Sequence, residues 1–314
     1  MECTQLFRLR NLVIFAVFLV PSPTTAAVVE VATFGDQGWK SDDTRDIAGT
    51  DLVGINNTHA GDPAVTPSAA DDAAIANQIK FVTAPAGSIL YGAVKIDGTS
   101  SNSGKSNIST ISPVTGFGAA SDLLGAGFFA NYSWYNEPNP TSRTLGFKLG
   151  IQSAVWGTGA GQSQETFTAT RSGESIWDLV LVHVPTTNVP LTWQNASLDA
   201  TTGTWNLFRQ AGNAFFQPAP DATAKTLLAW SLDPDYGDDL FGAGAKVTSV
   251  QFGLGSSQRQ AFGYVDYLQT NLLNGGDLIN FVPEPSSLFL GVLGALAVSC
   301  SLARRRRVAM SVPL

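Results

Sequence analysis

Along residues 28–282 hydrophobic and polar side chains alternate with a period of two rather than recurring at helical spacing. The runs Val28–Phe34, Ala76–Val82, Ile89–Ile96, Phe128–Tyr135, Thr144–Ile151, Ile176–Val184, Thr204–Phe208, Val247–Leu254 and Ala261–Thr270 each predict a strand. Ser175–Val184 is apolar on both faces and belongs inside a sheet rather than at its edge. Clusters of Gly, Pro, Asn, Asp and Ser at 97–104, 136–140, 157–161 and 233–239 predict the turns between runs. Ala222–Leu232 suits a short helix or a strand equally, because its Ala, Leu and Lys content allows both. Many short strands joined by long loops predict a mainly β fold: one antiparallel β-sandwich, jelly-roll-like, spanning 28–282 without an internal repeat.

The two ends follow a different logic. Arg8 and Arg10 precede the apolar run Leu12–Val20, which Pro21 and Pro23 break. Thr25 and Ala27 place small residues at the −3 and −1 positions of a cleavage site before Val28. This order predicts that residues 1–27 are a cleavable signal peptide and that the body is exported. At the other end stand Pro283, Glu284 and Pro285, then the apolar run Leu288–Ala303, then Arg304, Arg305, Arg306 and Arg307. A 16-residue helix is about 24 Å long, a short span that snorkelling arginines can complete. The arginines orient their own side to the cytoplasm, which leaves the body outside.

Residues 283–314, with Pro-Glu-Pro, a short apolar helix and an arginine cluster in that order, resemble the PEP-CTERM sorting signal of exosortase substrates. The resemblance implies that an exosortase, an integral-membrane cysteine protease, recognises Pro283, Glu284 and Pro285 and removes the tail. It also implies a cell-surface or extracellular-matrix location in a bacterium that makes exopolysaccharide. The simpler alternative is a plain tail anchor. Gly253–Phe281, including the run from Gly263 to Gln269, is similar to the closing strand that precedes this tail in other proteins carrying it.

Charge and cysteine usage narrow the chemistry. Glu2, Arg8 and Arg10 leave residues 1–27 at +1, and Glu284 with the four arginines leaves 283–314 at +3. The chain's net −7 therefore becomes −11 on residues 28–282, a body that repels nucleic acid. Cys3 and Cys300 both lie outside that body, so it holds no disulfide, no thiolate nucleophile and no cysteine-ligated zinc.

Catalytic motifs are sparse. Gly104-Lys105-Ser106 nearly completes a P-loop, but Gly98 stands one residue too early for the backbone to curl around a phosphate. His59 and His183 are the only histidines, and His183 in its apolar strand reads as a satisfied core imidazole. The body's glutamates are Glu30, Glu137, Glu165 and Glu174, with no strand motif of paired carboxylates for glycoside hydrolysis. These features predict a non-enzymatic surface or matrix protein, with a carbohydrate-binding module as the alternative and a secreted glycoside hydrolase behind both.

Two groups of aspartates suit calcium. Asp233, Asp235, Asp238 and Asp239 gather carboxylates within seven residues, although their spacing is not that of an EF-hand. Asp36 follows the first strand and Asp266 lies in the last long one, so a cation shared between neighbouring strands is the second arrangement. Aromatic side chains supply the remaining candidates, because sugar rings stack on exposed indole and phenol faces. Trp134, Tyr135, Trp39, Trp156, Trp193 and Trp205 lie near loops or strand ends.

Overall fold

The computed structural model describes residues 27–41, 52, 68–98, 106–112, 115–138, 144–153, 179–211, 215–218, 223–254 and 261–283. Residues 1–26 of the signal segment and the tail from Glu284 onward, with Pro285, the apolar run and Arg304 to Arg307, lie outside these. So do His59, Trp156, residues 99–105 of the near P-loop, Glu165 and Glu174. Among the described residues no helix is long and apolar enough to cross a membrane.

The fold is a β-sandwich of two seven-stranded sheets. The strands are β1 (Val28–Val31), β2 (Trp39–Ser41), β3 (Ile79–Thr83), β4 (Gly92–Asp97), β5 (Ser106–Ile111), β6 (Ala130–Asn136) and β7 (Gly146–Gln152), followed by β8 (Leu179–His183), β9 (Gln194–Leu198), β10 (Trp205–Ala211), β11 (Phe215–Pro218), β12 (Lys246–Leu254), β13 (Phe262–Thr270) and β14 (Leu278–Phe281). One sheet runs β11-β10-β8-β7-β12-β5-β2 and is antiparallel throughout. Strand β8 has β10 and β7 as neighbours, the interior place its two apolar faces demand.

The second sheet is built around β13. One edge pairs with β6, which pairs in turn with β9. The other edge is divided: Phe262–Val265 pair with β4, and Tyr267–Gln269 pair with β14. Strands β4 and β14 therefore lie end to end along one edge of β13, carrying β3 and β1 outside them. The β1–β14 pair is parallel, the one departure from the antiparallel ladder the sequence predicts. At the seam between them the register of β13 against β6 shifts between Val265 and Leu268, so Asp266 and Tyr267 face Ser133 as two residues against one.

Aromatic rings join the two sheets across the core. Tyr132 of β6 packs on Phe147 and Phe252 of the opposite sheet with centroids 5.4 and 5.3 Å away, and Trp39 meets Phe281 edge-on at 5.2 Å. Such pairs contribute about 0.5–1.5 kcal/mol each beyond the area they bury. His183 sits among them, buried, with Tyr132 and Trp205 beside it and Nδ1 donating to the Thr204 carbonyl at 2.9 Å. Burial holds its pKa below the ordinary 6.5, only partly offset by that hydrogen bond. The unfolded chain therefore takes up a proton near pH 6.5 that the native imidazole refuses, and stability falls as the pH drops through that value. Melting temperatures measured at about pH 7.5 and 5.5 will show this drop, and His183→Gln, which keeps a donor but does not titrate, will shrink it.

Short helices fill the gaps. In α1 (Ala69–Gln78) the Ser68 hydroxyl accepts from the Asp71 N–H at 3.1 Å, and Asp71 and Asp72 occupy the first turn, where the helix dipole favours acid. This corrects the strand expected from Ala76: the helix runs to Gln78 and β3 begins at Ile79. Leu227–Ser231 forms α2, capped by Thr226, which settles the ambiguous stretch as helix. Gly237–Phe241 forms α3.

Candidate functional site

The outer face of the β13 sheet carries a row of aromatic side chains in register. Tyr264 on β13 pairs with Tyr135 on β6 and, on its other side, with Lys95 on β4. Trp134 pairs with Gln194, which sets Tyr135 beside Trp193 at the entry to β9. Alternation explains which residues reach this face: Val265 and Trp134 point into the core, so their neighbours Tyr264 and Tyr135 point out. The Tyr264 and Tyr135 rings meet edge-on with centroids 5.7 Å apart, and Tyr135 and Trp193 lie 5.4 Å apart at 50°. Tyr135 is the buried middle member; Tyr264 and Trp193 are half-exposed on either side of it.

Polar groups border the row. The Tyr264 hydroxyl donates to Glu137 Oε1 at 3.3 Å, and burial together with the nearby Glu137 carboxylate pushes its pKa up to about 12. Burial, then Glu137, also raises that of Tyr135. Both phenols stay neutral donors at physiological pH. Lys95 holds its ammonium 5.0 Å from the Phe262 ring centroid. This combination of apolar ring faces, phenol donors, a carboxylate and an ammonium suits a polyhydroxylated ligand with alternating C–H faces and hydroxyl edges.

Two loops frame the Trp193 end. Residues 84–91 join β3 to β4, and the Trp193 indole N–H donates to the Pro85 carbonyl at 3.1 Å. Gly87, at φ +90°, makes the close turn over the indole, where a Cβ would lie 3.6 Å from its Cδ1. The other loop is held by buried Asn136, whose Nδ2 donates to Asn188 Oδ1 at 2.9 Å and whose carbonyl accepts from the Leu191 N–H at 2.9 Å. Leu191 is kept at φ +59°, a conformation that costs a leucine free energy and recurs at functional positions.

Asp266 anchors the first loop from below. Its side chain is fully buried in the β13 bulge, and Oδ2 accepts from Ser88 Oγ at 2.8 Å, Ile89 N–H at 3.1 Å and Leu90 N–H at 3.2 Å. Oδ1 is buried with no hydrogen-bond partner. Burial pushes the carboxyl pKa up despite the three donors.

The other expected site residues are placed as follows. Asp36 does not follow a strand adjacent to that of Asp266, because β14 stands between β1 and β13. Its Oδ2 accepts from the Ala32 and Thr33 N–H groups, each at 3.0 Å, and so closes its own turn. Asp233 pairs with Lys225 and accepts from the Asp235 and Tyr236 N–H groups at 3.0 Å; burial opposes ionisation there, but these partners together hold its pKa low. Asp238 and Asp239 lie in the first turn of α3. Among the described residues no group of three or more His, Cys, Asp or Glu side chains is arranged to hold a metal. Of the expected aromatics, Trp39, Trp134 and Trp205 are core, and Tyr135 and Trp193 reach the row. Tyr264 and Lys95 were not among the expected residues; the alternation of β13 and β4 carries the signal that finds them.

No protein-family model matches the chain, and no curated protein matches it. Among solved structures it is similar to the family 11 carbohydrate-binding module from Clostridium thermocellum, determined in complex with a β-1,3-1,4-mixed-linked tetrasaccharide. That match has 11% identity and a TM-score of 0.32, covering 66% of this chain and 84% of that one. A second, the family 11 carbohydrate-binding module of a cellulosomal cellulase of the same organism, has 10% identity and a TM-score of 0.31 over the same shares.

Proposed function

We propose that the chain is an exported, non-enzymatic glycan-binding protein of the cell surface or extracellular matrix, with exopolysaccharide as its ligand. The observation that carries this is the touching row Tyr264–Tyr135–Trp193 on one sheet face, two rings on adjacent strands and the third at the entry to β9. Rings held in register by the β ladder are ordered before a ligand arrives, which reduces the entropy lost on binding. A glycan array probed with the exported protein tests it: binding to extended polysaccharides is expected, and Trp193→Ala should weaken it at least tenfold while the variant stays folded at the assay temperature. An array silent for the wild type, or unchanged by Trp193→Ala, contradicts the reading.

Delivery follows from the ends. The N-terminal segment exports the chain, and the tail beginning at Pro283 is the exosortase signal, which places the body outside the inner membrane before processing. The prolines fix an extended backbone around Glu284, whose carboxylate gives a membrane protease a charge to recognise. In a host with an exosortase, Glu284→Ala should leave a full-length, membrane-retained form on an immunoblot. Normal processing of that variant would leave the plain tail anchor as the explanation.

A further inference from the structure

Seven large hydrophobic side chains are exposed among the described residues, and four of them cluster on the two loops beside Trp193. Ile89 and Tyr91 on the first loop are 67% and 73% exposed; Val189 and Leu191 on the second are 53% and 58% exposed. The hydrogen bond from Trp193 to Pro85 ties these loops together. Neither loop is loose: Asp266 accepts three hydrogen bonds from residues 88–90, and Asn136 fixes Leu191 in its unfavourable φ. Buried polar groups thus hold apolar side chains out in water, an arrangement that marks an interaction surface.

The position of the chain's exit from the body identifies the partner. Strand β14 ends at the seam, where Val282 N–H donates to the Val31 carbonyl at 2.9 Å. Pro283 lies against Gly92 so closely that a Cβ there would stand 2.8 Å from its Cδ. Tyr91 is therefore one residue from the first residue of the tail. Four residues, 284–287, separate Pro283 from Leu288, where the apolar run begins, and the five steps span about 17 Å at full extension. A tail inserted in a bilayer holds Ile89 and Tyr91 within that reach of the lipid headgroups. Tyrosine and aliphatic side chains on exposed loops are the residues that settle into that interface.

We infer that Ile89 and Tyr91, with Val189 and Leu191 on the loop that Trp193 joins to theirs, dock the body on the lipid surface while the tail is in the membrane. This rests on the reading of residues 284–314 as a membrane-inserted tail, and the test separates the two. The full chain, with Cys3→Ser and Cys300→Ser, is given a single cysteine at Ile89, Tyr91 or Gly127, the last an open turn position with nothing within 4 Å of its Cβ. Each is labelled with an environment-sensitive fluorophore and reconstituted in phosphatidylethanolamine/phosphatidylglycerol vesicles carrying a shallow spin-labelled lipid. A fourth sample keeps native Cys300 as the labelled site. Docking predicts strong quenching at positions 89, 91 and 300 and little at 127. Quenching at 300 alone overturns the docking and leaves the tail reading intact. Loss of quenching at 300 and at both loop positions overturns both. Loop quenching that requires a co-reconstituted exosortase assigns the patch to a protein contact and overturns the lipid docking.

Discussion

Replacing Asp266 by alanine is expected to lower the stability of the body by about 3 kcal/mol, since an unpaired buried donor costs about 1–3 kcal/mol. The side chain is fully buried, and its Oδ2 is the common acceptor for Ser88 Oγ and the Ile89 and Leu90 N–H groups. Removing it leaves three donors in a loop that water reaches only in part. For a domain of this size each kcal/mol moves the melting temperature by about 2–4 °C, so the drop should be about 6–12 °C. Asp266→Asn separates the acceptor from the charge. It keeps an oxygen for the three donors and removes an ionisation that burial disfavours. Because the folded pKa is raised, the stability linked to this group is present below the unfolded value of about 3.8 and is lost as the pH rises through the folded one. The asparagine variant should therefore melt close to the wild type at neutral pH and lack this part of the pH dependence. Equal losses in the alanine and asparagine variants would show that the three hydrogen bonds are not what Asp266 contributes.

Gly92→Ala should be at least as damaging, for a reason that lies in the backbone. A Cβ at this position would stand 2.2 Å from the Phe281 carbonyl oxygen and 2.4 Å from the Val282 Cα. Both obstacles are main-chain atoms of the strand that continues the edge of β4, so no rotamer change relieves the clash. Either β4 or β14 must move, and Phe281 carries the movement into the core through Trp39. Overpacking of this kind costs about 1–3 kcal/mol and more where backbone must yield. Gly127→Ala, where the added methyl meets nothing within 4 Å, is the matched control and should stay within about 0.5 kcal/mol of the wild type. Chemical denaturation of the three proteins decides it: a Gly92→Ala variant as stable as the control would mean that the seam is not closely packed.

The parts of this fold that alternation reveals are those whose two faces differ. Val247–Leu254 and Ala261–Thr270 were predicted as strands and appear as β12 and β13 to within a residue at each end. Strand β9, with sequence Gln-Asn-Ala-Ser-Leu, alternates in burial, but only Ala196 and Leu198 on its inner face are apolar, too little contrast for a period to register. Strands β2 and β14, three and four residues long, are too short for a period to register and exist through pairing with β5, β13 and β1. The aromatic row was legible only in fragments. Tyr135 and Trp193 could be named as exposed candidates, but Tyr264 joins them through a register between strands more than a hundred residues apart. In the sequence Asp266 is one of a pair with Asp36, an acidic residue in the last long strand. Its use as a loop anchor depends on Ser88, Ile89 and Leu90, which no local pattern connects to it. Of the four aspartates between 233 and 239, Asp233 is a turn acceptor and Asp238 and Asp239 open α3.

The proposed ligand-binding surface is the Tyr264–Tyr135–Trp193 face. A binding isotherm for the best polysaccharide from the array, recorded with the wild type and with Tyr264→Ala and Trp193→Ala separately and together, tests it most directly. Each single variant should weaken binding at least tenfold, or about 1.4 kcal/mol, and the double variant at least a hundredfold, measured at a temperature where every variant remains folded. A double variant that binds as tightly as the wild type would contradict the assignment.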